Sequence, residues 1–201
     1  MRRSLSLAVL VALFSLGQIS ALARTPQLTA KWVRVLNNRD YFPAVEEAFG
    51  QAKGSIWVMM YSARYYTEPP KYARHYTHGK GQPYSDTNLL LEDLIEAAKR
   101  GVEVVVILDS SDWNRENTRK NRLFAQLLKK GGVKVFFDDP QVTTHDKLIL
   151  VDDDLTIVGS TNWTYYALEE NNETSVLIKS DEVNRRYKKY FLQVEKRSHQ
   201  F

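Results

Sequence analysis

Short runs rich in β-branched and aromatic residues alternate along this chain with longer runs whose apolar positions recur every three or four residues. That alternation is the pattern of an α/β sandwich. Residues 32–36 predict a strand, 40–52 a helix with Phe42, Val45, Ala48 and Phe49 on one face, and 56–61 a second strand. A helix over 92–100 ends at Gly101, where glycine suits a left-handed cap. Residues 102–108 are apolar except for Glu103, which predicts a central strand buried on both faces. A basic helix over about 118–130 runs into Gly131-Gly132, followed by strands at 133–137, 144–151 and 155–158, the last two joined by a turn at Asp152-Asp153-Asp154. A strand at 174–178 and an amphipathic helix at 182–194 complete the series.

Two segments stand outside the alternation. Residues 1–23 open with Met1-Arg2-Arg3, continue through an apolar core at 5–19 and end in Ala21-Leu22-Ala23, the order of a secretory signal peptide cleaved before Arg24. Retention as a membrane anchor is the alternative, though the core is shorter than the roughly 20 apolar residues of a spanning helix. On this reading residues 24–201 form one exported domain, periplasmic or secreted. Residues 62–86 carry Pro69, Pro70, Pro83, Gly79 and Gly81 together with Tyr65, Tyr66, Tyr72, Tyr76 and Tyr84, five of the chain's 11 tyrosines. Arg64, Lys71, Arg74 and Lys80, with His75 and His78, interleave with those rings, which suits phosphate contact and base stacking as well as a solvated loop over the sheet edge.

Composition narrows the chemistry. The 201 residues include no cysteine, so disulfides, thiolate metal sites and a cysteine nucleophile are excluded. Net charge is +4, and removal of Arg2 and Arg3 with the leader leaves 26 basic against 24 acidic residues, or +2. An anionic partner must therefore be met by local patches. One basic tract holds Arg115, Arg119, Lys120, Arg122, Lys129, Lys130 and Lys134 against Glu116 alone. A second, Arg185, Arg186, Lys188 and Lys189, suits a solvated helical face equally well.

The most informative stretch is His145-Asp146-Lys147 followed by Asp152 and then Gly159-Ser160-Thr161-Asn162. His145 and Lys147 are two apart on an expected strand and so share a face. A hairpin turning at 152–154 brings Ser160 and Asn162 alongside them, converging four groups suited to a phosphate. Asp152 falls on the opposite parity, as a turn or supporting residue.

This spacing, H-x-K-x4-D-x6-G-S-x-N, resembles the motif of the phospholipase D superfamily at every position. Asn171-Asn172-Glu173 ahead of an apolar strand resembles the family's downstream Asn-x-Glu segment, and Met59-Met60-Tyr61-Ser62 its early strand. The closest likeness is to the small exported single-motif branch, the Nuc-type bacterial endonucleases, from which residues 62–86 depart in length. The resemblance implies a mixed sheet flanked by helices on both faces. It also implies two motifs per active site, and His78-Gly79-Lys80 is no second copy, because no Gly-Ser-x-Asn follows it. A symmetric homodimer is then expected. His145 of one subunit would form a covalent phosphohistidine while the other His145 serves as general acid and then base. Glu173 would orient the imidazole, and Lys147, Asn162 and Ser160 would hold the phosphate oxygens. No cofactor or metal is expected.

The substrate is less determined. The basic tract and the tyrosine and cation loop, with Arg64, Lys71, Arg74, Arg119 and Lys120 as contacts, favour nucleic acid. The leader and a loop that could enter a headgroup layer make a phospholipid membrane surface the alternative.

Overall fold

A computed structural model describes residues 27–68 and 85–201. The expected leader at 1–23 lies outside these residues, as do Lys71, Arg74, Tyr72, Tyr76, Tyr84 and His78-Gly79-Lys80. Among the described residues no helix is long and apolar enough to cross a membrane.

Eight strands form one mixed sheet: β1 (Trp32–Asn37), β2 (Ser55–Met60), β3 (Glu103–Leu108), β4 (Lys134–Phe137), β5 (Lys147–Val151), β6 (Leu155–Gly159), β7 (Thr174–Lys179) and β8 (His199–Gln200). Their spatial order is β1-β7-β6-β5-β2-β3-β4-β8. Only the β2–β3 and β3–β4 pairings are parallel, and every other pairing is antiparallel. Helices α1 (Tyr41–Gln51), α2 (Asp86–Lys99), α3 (Arg115–Lys130) and α4 (Asp181–Glu195) cover the sheet.

The two-residue period of the strands divides the core. Ile56, Val58 and Met60 of β2 join Val104, Val106 and Leu108 of β3 in a layer with Phe49 of α1, Leu94 of α2 and Phe124 of α3. Met59, Val105, Ile107, Leu148 and Leu150 point to the other face and pack with Phe191 and Val194 of α4. Three helices thus lie on one face and one on the other, the layering the sequence predicted. The central strand over β3 is buried from Val104 to Leu108.

Element boundaries differ where side chains replace a regular ladder. Helix α2 starts at Asp86, six residues ahead of expectation, because the buried Ser85 hydroxyl caps it by accepting from Thr87 N at 3.4 Å. Helix α3 starts at Arg115, where the Asn114 side chain accepts from Asn117 N at 3.2 Å. Strand β5 begins at Lys147 and not at Thr144, since the Thr144 amide donates to two carboxylates instead of to a neighbouring strand. Strand β8 and a π-helical turn at Tyr166–Glu170 were not anticipated. Gly101 has the left-handed backbone expected of it, φ +90°.

At the pole where α1 meets β2, Asp152 fastens two turns together. Its carboxylate accepts from Gly54 N at 2.7 Å, Ser55 N at 3.0 Å and Lys53 N at 3.3 Å, and its own amide donates to Ser55 O at 2.8 Å. Burial opposes ionisation there, but the three amides and Lys179 outweigh it and hold the carboxyl below its ordinary range. Asp152 is the turn residue that the strand parity predicted. Asp152→Ala should cost about 1–3 kcal/mol in urea unfolding at pH 7. Because the folded carboxyl titrates below the unfolded one, that difference should be full above about pH 4 and should shrink as the pH falls further.

Candidate active site

Antiparallel pairing of β5 with β2 and β6 brings the start of β5, the ends of β2 and β6, and the start of β7 to one edge of the sheet. Met60 pairs with Lys147, so the residue after β2, Tyr61, falls opposite Asp146 and donates its amide to the Asp146 carbonyl at 2.9 Å, next to His145. The rings of Tyr61 and His145 lie 4.4 Å apart, inclined by 48°. Lys147 is buried, and its Nζ sits 3.1 Å from His145 Nδ1, 2.7 Å from His145 O and 5.0 Å from the centre of the Tyr61 ring. Burial lowers the Lys147 ammonium, against the pull of Asp146, Glu173 and Asp109. His145 itself is exposed.

The contact fixes the imidazole's chemistry. An ammonium has only protons to give, so Nδ1 accepts and a neutral ring carries its hydrogen on Nε2, toward solvent. In this tautomer the outward nitrogen offers a hydrogen-bond donor and no free lone pair.

The second half of the motif lies across the hairpin. Gly159 is required by close approach: a Cβ there would stand 2.2 Å from Ser175 Oγ and 2.4 Å from both Ser175 Cα and Thr174 O. The next residue, Ser160, donates through its hydroxyl to Glu173 and accepts from Thr174 N at 3.0 Å. Glu173 also accepts from Asn171 Nδ2 at 3.1 Å. Within one protomer, therefore, Glu173 makes no hydrogen bond to the imidazole that it was expected to orient. Its carboxylate holds Ser160 and Asn171, while Lys147 occupies Nδ1.

Asn162 is positioned by its neighbour. Trp163 is fully buried between Phe49 and Phe124, donates to the Tyr41 hydroxyl at 3.2 Å, and exchanges backbone hydrogen bonds with Ser62 and Arg64 at 2.9 Å. Asn162 consequently faces a cleft of about 290 Å³ that Tyr61, Ser62, Arg64, Asn114 and Asn117 also line. Ser62 Oγ, Arg64 Nε and Asn162 Oδ1 are buried there with no hydrogen-bond partner among the described residues. Three unmet polar atoms around one cleft mark a place for a polar ligand. Arg64 and Lys120 line an adjoining hollow of about 240 Å³, with Lys120 paired to Glu116. Arg119 is exposed on α3.

Sequence reasoning missed the supporting shell. Asn114 Nδ2 donates to the Tyr61 hydroxyl at 3.0 Å, and Asn117 and Asn121 each donate to Tyr61 O at 2.9 Å. Asp109 and Asp138, buried at the ends of β3 and β4, hold the Thr144 amide beside His145. A polar residue closing each of two apolar strands was the available signal. Among the described residues no group of three or more histidine or acidic side chains is arranged to hold a metal ion.

A family model described as cardiolipin synthase, PLD-like domain, matches residues 45–194. Phospholipase D of Rickettsia bellii is 31% identical over 108 residues, covering 54% of this chain and 50% of that protein. Human mitochondrial cardiolipin hydrolase is 33% identical over 93 residues, 46% of this chain and 35% of that protein. The match thus spans half or less of these relatives. Among solved structures, Nuc from Salmonella typhimurium superposes with a TM-score of 0.66 at 24% identity, over 85% of this chain and 97% of that one. NucT from Helicobacter pylori gives 0.62 at 17% identity, over 85% and 100%. The fold is shared with both.

The tight contact of β6 with β7 yields a test of the site's scaffold. Gly159→Ala should lower stability by about 1–3 kcal/mol in chemical unfolding, because the new methyl meets backbone that cannot turn aside.

Proposed function

The chain belongs to the PLD-like domain family, and on that premise we propose that it is a phosphodiester hydrolase, a nonspecific endonuclease acting on DNA or RNA through His145 without a metal ion. The observation that carries the reading is the Lys147, His145 and Tyr61 cluster opening beside a cleft with the unmet polar atoms of Ser62, Arg64 and Asn162. Lys147 leaves Nδ1 for a non-bridging phosphate oxygen, the ring proton passes from Nε2 to Nδ1 through solvent, and the Nε2 lone pair attacks phosphorus as the bond to the leaving oxygen breaks. Lys147 and Asn162 then stabilise the charge that builds on phosphorus, with Ser160 tied to Glu173 behind them.

A single His145 cannot be attacking base and proton donor in one step. A homodimer supplies both: one imidazole forms the phosphohistidine, and its partner protonates the leaving oxygen and then activates water. Arg64, Lys120 and Arg119 extend the cationic surface from the cleft along α3, which suits a nucleic-acid backbone. The leader at residues 1–23 belongs to the same reading, as an export signal.

A second reading is supported by the names of the relatives and by two exposed apolar side chains. Trp113 follows β3 and Val142 precedes His145, 62% and 53% exposed. Both lie on loops at the catalytic edge, where they suit contact with a lipid surface, and phospholipase D activity is accordingly the alternative.

One parallel assay separates these readings. Protein spanning residues 24–201 is incubated, with EDTA present, with plasmid DNA, single-stranded DNA and phosphatidylcholine vesicles, alongside His145→Ala. DNA cleavage that withstands EDTA and disappears in the variant is expected. Headgroup release with intact DNA would transfer the site to phospholipid, and activity surviving in His145→Ala would remove the nucleophile assignment. DNA binding by the variant should also weaken by about a thousandfold or more between 50 and 200 mM salt if six or more phosphates are contacted, whereas a flat response would remove the basic surface from the reading.

A further inference from the structure

Behind His145 lie two carboxyls that the sequence motif does not contain. Asp109 and Asp138 are 0% and 1% exposed. Both accept the same hydrogen, that of the Thr144 amide: Asp109 through Oδ1 at 3.1 Å and Asp138 through Oδ2 at 3.0 Å. Their other oxygens are held as firmly. Asp138 Oδ1 accepts from Ser110 N at 2.6 Å, and Asp109 Oδ2 from the Ser111 hydroxyl at 2.6 Å. Asn121 fixes the Asp109 backbone by donating to its carbonyl at 2.9 Å. Thr144 is the residue immediately before His145, so whatever holds its amide holds the peptide from which the imidazole projects.

We propose that Asp109 and Asp138 act as a pair of positioning residues that sets the place of His145 through the Thr144 amide and keeps a negative charge beside the imidazole. The inference rests on the reading that His145 is the reacting group. Two buried carboxylates converging on one N–H repel each other, and the arrangement favours one proton shared between them. Burial raises both groups. For Asp109 the hydrogen bonds from Ser111 and Thr144 and the charge of His145 work against that rise. For Asp138 burial and the nearby Asp109 charge prevail over its hydrogen bonds and push it up to about 6. Below about pH 6 Asp138 therefore holds a proton, while the hydrogen bonds and the imidazole beside Asp109 favour its ionised form against burial. The charged groups facing the pair are His145 and Lys147, while α3 presents the neutral amides of Asn117 and Asn121.

This pair differs from a structural ion pair in what it does to the reaction. A buried bond that only stabilises the fold changes the folded fraction, whereas one that places His145 changes turnover in the molecules that remain folded. With bis(4-nitrophenyl) phosphate as the probe, Asp109→Ala and Asp138→Ala should lower kcat of the folded protein about a hundredfold, the cost of a misplaced reacting group, with KM within about threefold of the parent. Asp138→Asn should recover about tenfold or more of that loss, because the amide oxygen can still accept from the Ser110 N–H while the side chain carries no charge. Folded alanine variants with the parent kcat would overturn the proposal.

Where an alanine variant does not fold, carbon-13 spectra of the carboxyls and nitrogen-15 spectra of the imidazoles decide. One of the two carboxyls should titrate near pH 6, and the ring signals of His145, assigned with His145→Ala, should move in both Asp109→Asn and Asp138→Asn. Two carboxyls titrating at the ordinary value of about 4, or unmoved ring signals, would refute the pair. Should the parent protein hydrolyse no phosphodiester at all, the proposed function fails by itself, and the spectra still judge the pair.

Discussion

Backbone groups that leave a sheet at a buried edge must find new partners, and this requirement organises the end of the molecule that carries His145. The ladder of β2 ends at Met60, yet the chain continues inward through Tyr61, Ser62 and Ala63. Asn121 meets most of that need alone. Its Oδ1 accepts from Ala63 N at 2.9 Å, and its Nδ2 donates to Tyr61 O and Asp109 O, each at 2.9 Å. One fully buried amide thus ties the end of β2 to the end of β3. Asn88 does the same for Tyr66, accepting from its amide at 3.0 Å and donating to its carbonyl at 2.8 Å. Neutral amides suit the task because each brings donors and an acceptor without a charge to bury.

The same requirement explains which features were legible in the sequence. Apolar alternation located β1 to β7 and the bodies of the helices, because those segments bury apolar faces and their period follows from geometry. Helices α2 and α3 read short because Asn88 and Asn117 stand on buried faces in their first turns, where polar residues interrupt the apolar stripe. Strand β8 pairs only Phe136 with Gln200 and Phe137 with His199, too short a pairing to leave a period. The motif was legible for a different reason: His145, Lys147, Ser160 and Asn162 owe their proximity to a hairpin, a local element. Tyr61, Asp109 and Asp138 reach the site through the order β5-β2-β3-β4, and no spacing along the chain encodes that neighbourhood. The contacts of Glu173 with Ser160 and Asn171 were likewise not encoded in spacing.

Three aspartates show how one side chain serves opposite ends. Asp152 and Asp138 both accept backbone N–H groups at short distance. Asp152 stands in a partly open turn with Lys179 near, and its ionised form is favoured. Asp138 is enclosed, with Asp109 as its neighbour, and its ionisation is pushed up to about 6. Amide donors alone therefore do not decide the charge of a carboxyl. Enclosure and the sign of the adjacent group do.

That difference places a cost on the catalytic end. A carboxyl whose folded form titrates above its unfolded form contributes stability that is full below the unfolded value and is lost as the pH rises past the folded one. For Asp138 the loss runs from the ordinary carboxylate range up to about 6, so near neutrality the pair opposes folding while Asp152 at the other pole supports it. A fold selected for stability alone would hold the Ser110 and Thr144 N–H groups with neutral amides, as Asn121 holds Ala63, with no charge to bury. Two carboxyls kept there, aimed at the amide before an exposed histidine, make sense when the position of that histidine is what they preserve.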